Sequence, residues 1–354
     1  MIKETHFSPR TGVILIAVGL LFFVLFLYFF GVNLLQVVET IKTANPFYYS
    51  LAFAALLLSV VFYSLTWHRL LNLLSVKASP LKAFQFIWIG DFVNLMIPAE
   101  SVSGDITRTY LMSKESGENA GKVVASVIGH RILTTVITFG GFLISAVFFI
   151  FAYSPSLLAL EFIVLVTATS VFSLSLMIYL STRRSPTERI VNWLVGLLAR
   201  LSRGRWQFDS LKKSADRMLN AFHDGIQTLR EHPKQLVLPL FFSFFAWMFD
   251  FLIVILVFYS IGSLGTIISI PAIIIVYSII IGIQNIPIGV PGEVGLVEIV
   301  MTGLYTLLGS GNLAVATGAT LLIRILTLWT RIVIGGVAFQ WLGIKGFSSP
   351  ITAS

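Results

Sequence analysis

A chain of 354 residues that is 56% hydrophobic and 11% charged, with 30 phenylalanines and a mean hydropathy of +0.92, is too apolar for a soluble domain and belongs in a bilayer. The absence of cysteine excludes thiolate metal sites and thiol nucleophiles. A net charge of +8 reads as membrane topology and contact with anionic headgroups rather than as nucleic-acid binding, because basic residues beside membrane helices record both.

Lipid cannot satisfy open backbone groups, and the alternating pattern of a membrane barrel is missing, so every span is predicted to be a helix. The fold class is an all-α polytopic membrane protein, a single membrane domain over 1–354. Six full crossings are expected at 12–30, 47–67, 123–151, 162–181, 236–259 and 313–342. No small-residue cleavage site follows the first, which is read as a retained helix. Two further apolar stretches, 83–112 and 270–308, are interrupted by proline, glycine and charge, as broken or re-entrant hairpins are.

Between 181 and 235 the composition turns basic. Eleven residues, among them Arg183, Arg184, Arg189, Lys212, Lys213 and Arg217, face five acids, so this loop is placed in the cytoplasm. Counting crossings from there puts both termini inside, with His68, Arg69, Lys77 and Lys82. The uncharged connections at 152–157 and 261–269 fall outside. Within the loop, Arg189 to Leu201 carries apolar residues at helical spacing and suits the inner membrane surface.

The tetrapeptide RILT occurs twice, at Arg131 to Thr134 and Arg324 to Thr327, each followed by a glycine pair (Gly140 and Gly141; Gly335 and Gly336). Upstream, Asn94 and Asn285 are 191 residues apart, as are Gly104 and Gly295. A duplication follows: a first repeat over 47–151 and a second over 236–342, each with its broken hairpin. The topology above makes the repeats inverted, a plan that supplies equivalent inward and outward gates in alternating-access transporters.

Ionisable side chains in lipid cost about 2.5 to 3.5 kcal/mol each, so those in the spans should face the protein interior or a wet cavity. Arg324, Thr327 and Arg331 fall at i, i+3 and i+7; Arg131, Thr134 and Thr138 repeat the spacing. Guanidinium suits phosphate because its planar fork donates two parallel hydrogen bonds and keeps its charge when partly buried. Structural ion pairs with Asp91, Asp105, Glu293 or Glu298 are the competing reading. Both hold if an acid pairs with arginine in the empty state and releases it to phosphate, which makes those acids gating or coupling groups.

The first broken segment reads DFVNLMIPAESVSGDITRTYLM. Pro98 ends one half-helix, Ser101 or Ser103 caps the next, and Asp105 sits in its first turn, where its charge suits the dipole. Arg108 either pairs with Asp105 or joins the free N–H groups of the half-helix start in an anion site. The second segment reads IQNIPIGVPGEVGLVE. Pro287 and Pro291 stop a half-helix, while Gly289, Gly292 and Gly295 permit a close turn and leave backbone groups for a ligand. The predicted headgroup site is therefore Arg108, Arg131, Arg324 and Arg331 with Asn94 and Asn285; Pro98, Gly104, Pro287, Pro291, Gly292 and Gly295 break the hairpins. His68 and His130 lack acids at metal-ligand spacing, and Asp250 reads equally as a proton carrier or a packing partner. No catalytic residue, metal or cofactor is assigned.

At these residues the chain resembles the membrane region of lysylphosphatidylglycerol synthases, a flippase-like family that includes stand-alone bacterial and archaeal membrane proteins. The family's proline, glycine, acid and arginine pattern looks like Pro98, Gly104, Asp105 and Arg108, followed by Arg131. Its PGGxGxxE pattern looks like Pro291, Gly292, Gly295 and Glu298, followed by Arg324. Two positions depart: Glu293 stands where the family has its second glycine, and His130 where an acid often precedes the arginine. The family's aminoacyl-transfer domain lies outside this sequence, so lysyl transfer by this chain alone is not expected.

The resemblance implies movement of a charged or glycosylated lipid between leaflets of the cell membrane, with anionic membrane lipids as partners and a soluble lipid-modifying enzyme as the candidate protein partner. Two alternatives stand beside it. One is a membrane enzyme or accessory subunit of polyprenyl-phosphate glycosyl transfer, with Asp105 or Glu298 as general base; the other is a scaffold for a soluble synthase docked on the 181–235 loop.

Overall fold

The computed structural model describes residues 21, 24, 25, 28, 33–97, 102–201, 208–284, 289–309 and 311–343. The expected 12–30 crossing falls almost wholly outside the described residues, as do Pro98, Ser101, Asn285 and Pro287. Everything regular within them is helical, apart from one isolated bridge between Leu264 and Ile268.

The helices run α1 (Leu34–Lys42), α2 (Pro46–Leu73), α3 (Pro80–Met96), α4 (Val102–Ser116), α5 (Ala120–Tyr153), α6 (Leu157–Thr182), α7 (Arg184–Leu201), α8 (Phe208–Glu231), α9 (Val237–Ser260), α10 (Ile270–Gln284), α11 (Leu296–Leu308), α12 (Leu313–Arg324) and α13 (Arg331–Ala338). Short polar connections start most of them. Asn45, Ser79, Asn119, Ser156 and Asn312 each cap the helix that follows with a side-chain oxygen, and Pro46 and Pro80 occupy first-turn positions where no N–H is needed.

Among the described residues six stretches are long and apolar enough to cross a membrane: Pro46–Leu73, Ala120–Tyr153, Leu157–Thr182, Pro233–Ser260, Pro291–Leu308 and Leu313–Trp341. Five coincide with expected crossings. Pro291–Leu308 differs, because its α-helix has only 13 residues and the rest is a kinked turn. At ~1.5 Å per residue α11 is about 20 Å long. The arms α3, α4 and α10, of 17, 15 and 15 residues, reach about 22 to 26 Å, also short of a ~30 Å hydrocarbon core. α3–α4 and α10–α11 are thus two hairpins of short arms. Their tips touch: a Cβ placed on Gly292 would lie against the Leu95 carbonyl.

The repeat is visible in the packing. α2 and α9, equivalent segments of the two halves, run antiparallel, with Asn45 N–H donating to the Ser260 carbonyl at 2.9 Å and Thr66 meeting Pro239 and Ser243 near the opposite ends. Between these contacts the Ser59 hydroxyl donates to Asp250 at 2.5 Å, and these two residues are 191 positions apart. Residues related by the repeat can touch only where the pseudo-twofold axis passes, so the halves are inverted about this point. Each hairpin then lies against the long helix of the other half, α3 along α13 and α10 along α5.

Gly104 does not break the first hairpin. It lies inside α4, where its missing side chain lets the arm approach α3; a Cβ there would collide with the Gly90 carbonyl and with Asn94. Gly104→Ala is expected to cost about 1 to 3 kcal/mol, as overpacking does, measured as a lower melting temperature of the purified protein. Gly104 and Gly295 are also not equivalent, since Gly295 caps α11 at φ 91°. Asp105 to Arg131 and Glu298 to Arg324 both span 26 residues, which sets the offset after the turns at 193 rather than 191 and makes the second turn two residues longer.

The basic 181–235 segment is built as two helices. α8 sinks Leu219, Phe222, Ile226 and Leu229 into a core shared with Leu70, Leu74 and Val123. Gly121, Ala125 and Gly129 form a small-residue stripe on α5 that admits it closely, with Met218, Gly225 and Leu229 against them. α7 follows α6 directly and leaves Ile190, Trp193 and Leu197 exposed.

Candidate functional site

Asp105, in the first turn of α4, organises the first half-site. Its Oδ1 meets Arg108 Nη2 at 2.7 Å, and its Oδ2 takes a short charged hydrogen bond from Arg131 on α5. Arg108 is 4% exposed, with its guanidinium 5.1 Å from the Trp67 ring and its Nη1 donating to His130 Nδ1 at 3.3 Å. Guanidinium only donates, so Nδ1 is the acceptor and the His130 proton sits on Nε2. A neutral ring thus occupies a place where an acid would cancel charge. Asp105 thus bridges two arginines.

The second half-site repeats the pair with different surroundings. Glu298 Oε1 accepts from Arg324 Nε at 2.6 Å, and its Oε2 accepts the Gly295 N–H at 2.7 Å, closing the start of α11. Arg324 Nη2 donates to the Gly292 carbonyl at 2.6 Å. Arg324 and Glu298 are 4% and 5% exposed. The glycine-rich turn therefore does not leave these backbone groups open to a ligand, as expected from sequence; Glu298 and Arg324 consume them. The turn does need its glycines, with Gly289, Gly292 and Gly295 at φ 84°, 60° and 91°.

Glu293 shares that conformation at φ 51°, which a side-chain-bearing residue adopts at a cost of about 1 to 2 kcal/mol. This explains why glycine suits the position.

Between the half-sites lies Arg331, 3.5 Å from Asp91 on α3 and 3.6 Å from Asp250 on α9. Asp250 also accepts from Ser59 and, at 3.1 Å, from the Tyr277 hydroxyl on α10. Arg324 and Arg331 do not lie on one plain α-helix. A π-helical stretch, Ile325–Thr330, separates them, a form that recurs at functional sites.

All four arginines, with Asp91, Asp105, Asp250, Glu293, Thr134, Thr138 and Thr327, line one cavity of about 310 Å³. It has room for a lipid headgroup. Counting Glu298 behind Arg324, four guanidiniums face five carboxylates. A phosphate must therefore take arginines over from acids, and the first half-site, where one carboxylate bridges Arg108 and the partly exposed Arg131, is where it can do so. Asn94 borders the cavity but is not a headgroup ligand through its carbonyl. That oxygen accepts from Gly104 N–H at 2.5 Å and Ser103 Oγ at 3.1 Å and pins the hairpin arms together. Ser103 accordingly does not act as a free cap. Among the described residues no group of three or more His, Asp or Glu side chains is placed to hold a metal ion.

Each half thus joins a hairpin acid to an arginine of a long helix. The family model described as the lysylphosphatidylglycerol synthase TM region covers residues 14–335. The chain belongs to that family. Its curated relatives include a UPF0104 membrane protein of Methanothermobacter thermautotrophicus, 25% identical over 94% of this chain and 96% of the relative. UPF0104 membrane proteins of Pyrococcus horikoshii and Methanocaldococcus jannaschii are 24% and 23% identical, each over 92% of this chain and over 95% and 93% of their own lengths. The family assignment thus spans both repeats and the site between them.

Sequence reasoning left Asp250 undecided and did not single out Ser59, Trp67 or Tyr277 for the site. One signal for them is a polar group set in an apolar run, as Tyr277 is beside Ser278 in IIIVYSIII. Asp250 has a second: its repeat mate is Ser59, so both face the axis.

Proposed function

We propose that this protein moves a phosphate-bearing lipid between membrane leaflets by alternating access, the lipid being a phospholipid, an aminoacyl lipid or a polyprenyl-phosphate-linked glycolipid. The observation that carries the reading is one cavity where Arg131 and Arg324 of the two long helices are each held by a carboxylate of an inverted hairpin, with Arg108 of the first hairpin beside them. Arg108 and Arg131 receive the phosphate, Arg324 completes the clamp as the halves rock, and Asp105 and Glu298 hold the guanidiniums between cycles. The chains stay in the bilayer while the charged cavity takes the headgroup. The family name, which ties this membrane region to a lipid-modifying synthase, supports a lipid substrate. With the basic 181–235 segment on the cytoplasmic side, both termini face the cytoplasm of a cell-membrane protein.

The test is leaflet exchange by the purified protein in liposomes, using a panel of labelled anionic, aminoacylated and polyprenyl-phosphate lipids. Selective exchange of one class is the expected result. Failure to exchange any class, with the protein folded and an ion gradient imposed, would overturn the proposal.

A further inference from the structure

The duplicated pairs, Asp105 with Arg131 and Glu298 with Arg324, exist in both halves and favour neither direction. Arg331 and its two carboxylates are different. In the repeat frame Asp91 corresponds to Gly282 and Asp250 to Ser59 at an offset of 191, and Arg331 to Thr138 at 193; none of the three counterparts ionises. If the halves exchange conformations, the contact between Asp91 of the first half and Arg331 of the second is replaced by Thr138 beside Gly282. This ion pair can therefore form in one state only. Arg331 and Asp250 both belong to the second half, so their contact does not depend on the first half. Asp91 loses its countercharge.

Building on the translocation reading, we infer that Asp91 is the proton-binding group of the cycle and that its contact with Arg331 is a latch which a proton opens. The proton, taken from water, adds to a carboxylate oxygen of Asp91, and Arg331 then relaxes onto Asp250 alone. Protonation removes the cost of parting a carboxylate from its guanidinium in a low-dielectric site. The geometry suits a latch, since the pair is loose at 3.5 Å and both side chains border the cavity. The other ionisable groups facing Asp91 are Asp250 on α9, Asp105 and Arg108 on α4, and Tyr63 on α2, while Tyr277 on α10 faces Asp250. Arg108 is held by Asp105, and Arg331 is the guanidinium at ion-pair distance from Asp91. Charge counting agrees: a lipid phosphate adds negative charge to a cavity where carboxylates already outnumber guanidiniums, and an accompanying proton offsets it.

The natural absence of cysteine permits a direct test. Thr138→Cys puts one thiol in the cavity wall, and a membrane-impermeant maleimide is applied to sealed vesicles of each orientation at neutral and acidic pH. The ratio of labelling rates from the two faces cancels the pH dependence of the thiol itself. Acidification is expected to shift that ratio about tenfold, and Asp91→Asn to hold it at the acidic value at both pH values. A ratio unchanged by pH in the Thr138→Cys protein, or a pH dependence that persists in Asp91→Asn, would overturn the latch. The pH series alone decides the matter if the Asn variant does not fold. Labelling requires no lipid substrate, so the two proposals fail separately: switching without exchange sinks translocation, and exchange without switching sinks the latch.

Discussion

Arg324→Ala is expected to cost about 3 to 5 kcal/mol and to leave little folded protein after extraction into detergent. The cause is what stays behind. Glu298, 5% exposed, would keep its charge with only the Gly295 N–H as partner, and the Gly292 carbonyl would lose its donor at the point where the two hairpin tips meet. Removing one member of a buried pair is far more costly than removing both, so Arg324→Met combined with Glu298→Gln should recover most of the loss. The glutamine oxygen can still accept from Gly295, and methionine fills the stem of the arginine. Thermal unfolding of the two variants followed by tryptophan fluorescence checks the order. If the double variant melts no higher than Arg324→Ala, the loss comes from packing rather than from a stranded charge. The double variant is also expected to exchange no lipid, because it folds without the clamp.

The crossings are legible in the sequence because an uninterrupted apolar run of about 20 residues has one stable outcome in lipid. The hairpins are legible because proline and glycine interrupt such runs where a lipid-facing helix would not tolerate it. The gathering of Arg108, Arg131, Arg324 and Arg331 follows from the cost of charge in hydrocarbon, which drives separate helices to share one polar interior.

Which atom each group uses is a different kind of fact. Asn94 has the character of a ligand and spends its carbonyl on a backbone N–H across the turn, at Gly104. An offset of 191 matches Gly104 to Gly295 as letters, yet two extra residues in the second turn break the equivalence just before it matters. The 181–235 segment carries a basic amphipathic pattern that fits a membrane surface as well as a protein groove. Only the glycine stripe of α5, more than eighty residues earlier in the chain, makes it a docked helix. Tertiary partners, not local propensity, decide each of these.

Arg131→Ala should separate function from folding where Arg324→Ala cannot. Arg131 borders the cavity with 26% of its side chain exposed, and its carboxylate partner, Asp105, keeps Arg108 at 2.7 Å when Arg131 is gone. Asp105 keeps a countercharge, so the melting temperature should fall by far less than in Arg324→Ala. Transport is expected to suffer much more. A hydrogen bond from guanidinium to a phosphate oxygen is worth about 1.5 to 3 kcal/mol, which is roughly a 10- to 100-fold loss in exchange rate if Arg131 holds the headgroup while the halves move. Arg131→Lys sharpens the test, because an ammonium keeps the charge but lacks the two-pronged geometry. A lysine variant near wild type would mean that charge alone is needed there, whereas one close to alanine would mean that the fork grips two oxygens. Normal exchange in the folded alanine variant would remove Arg131 from the path of the phosphate and, with it, the first half-site as the place where the lipid is received.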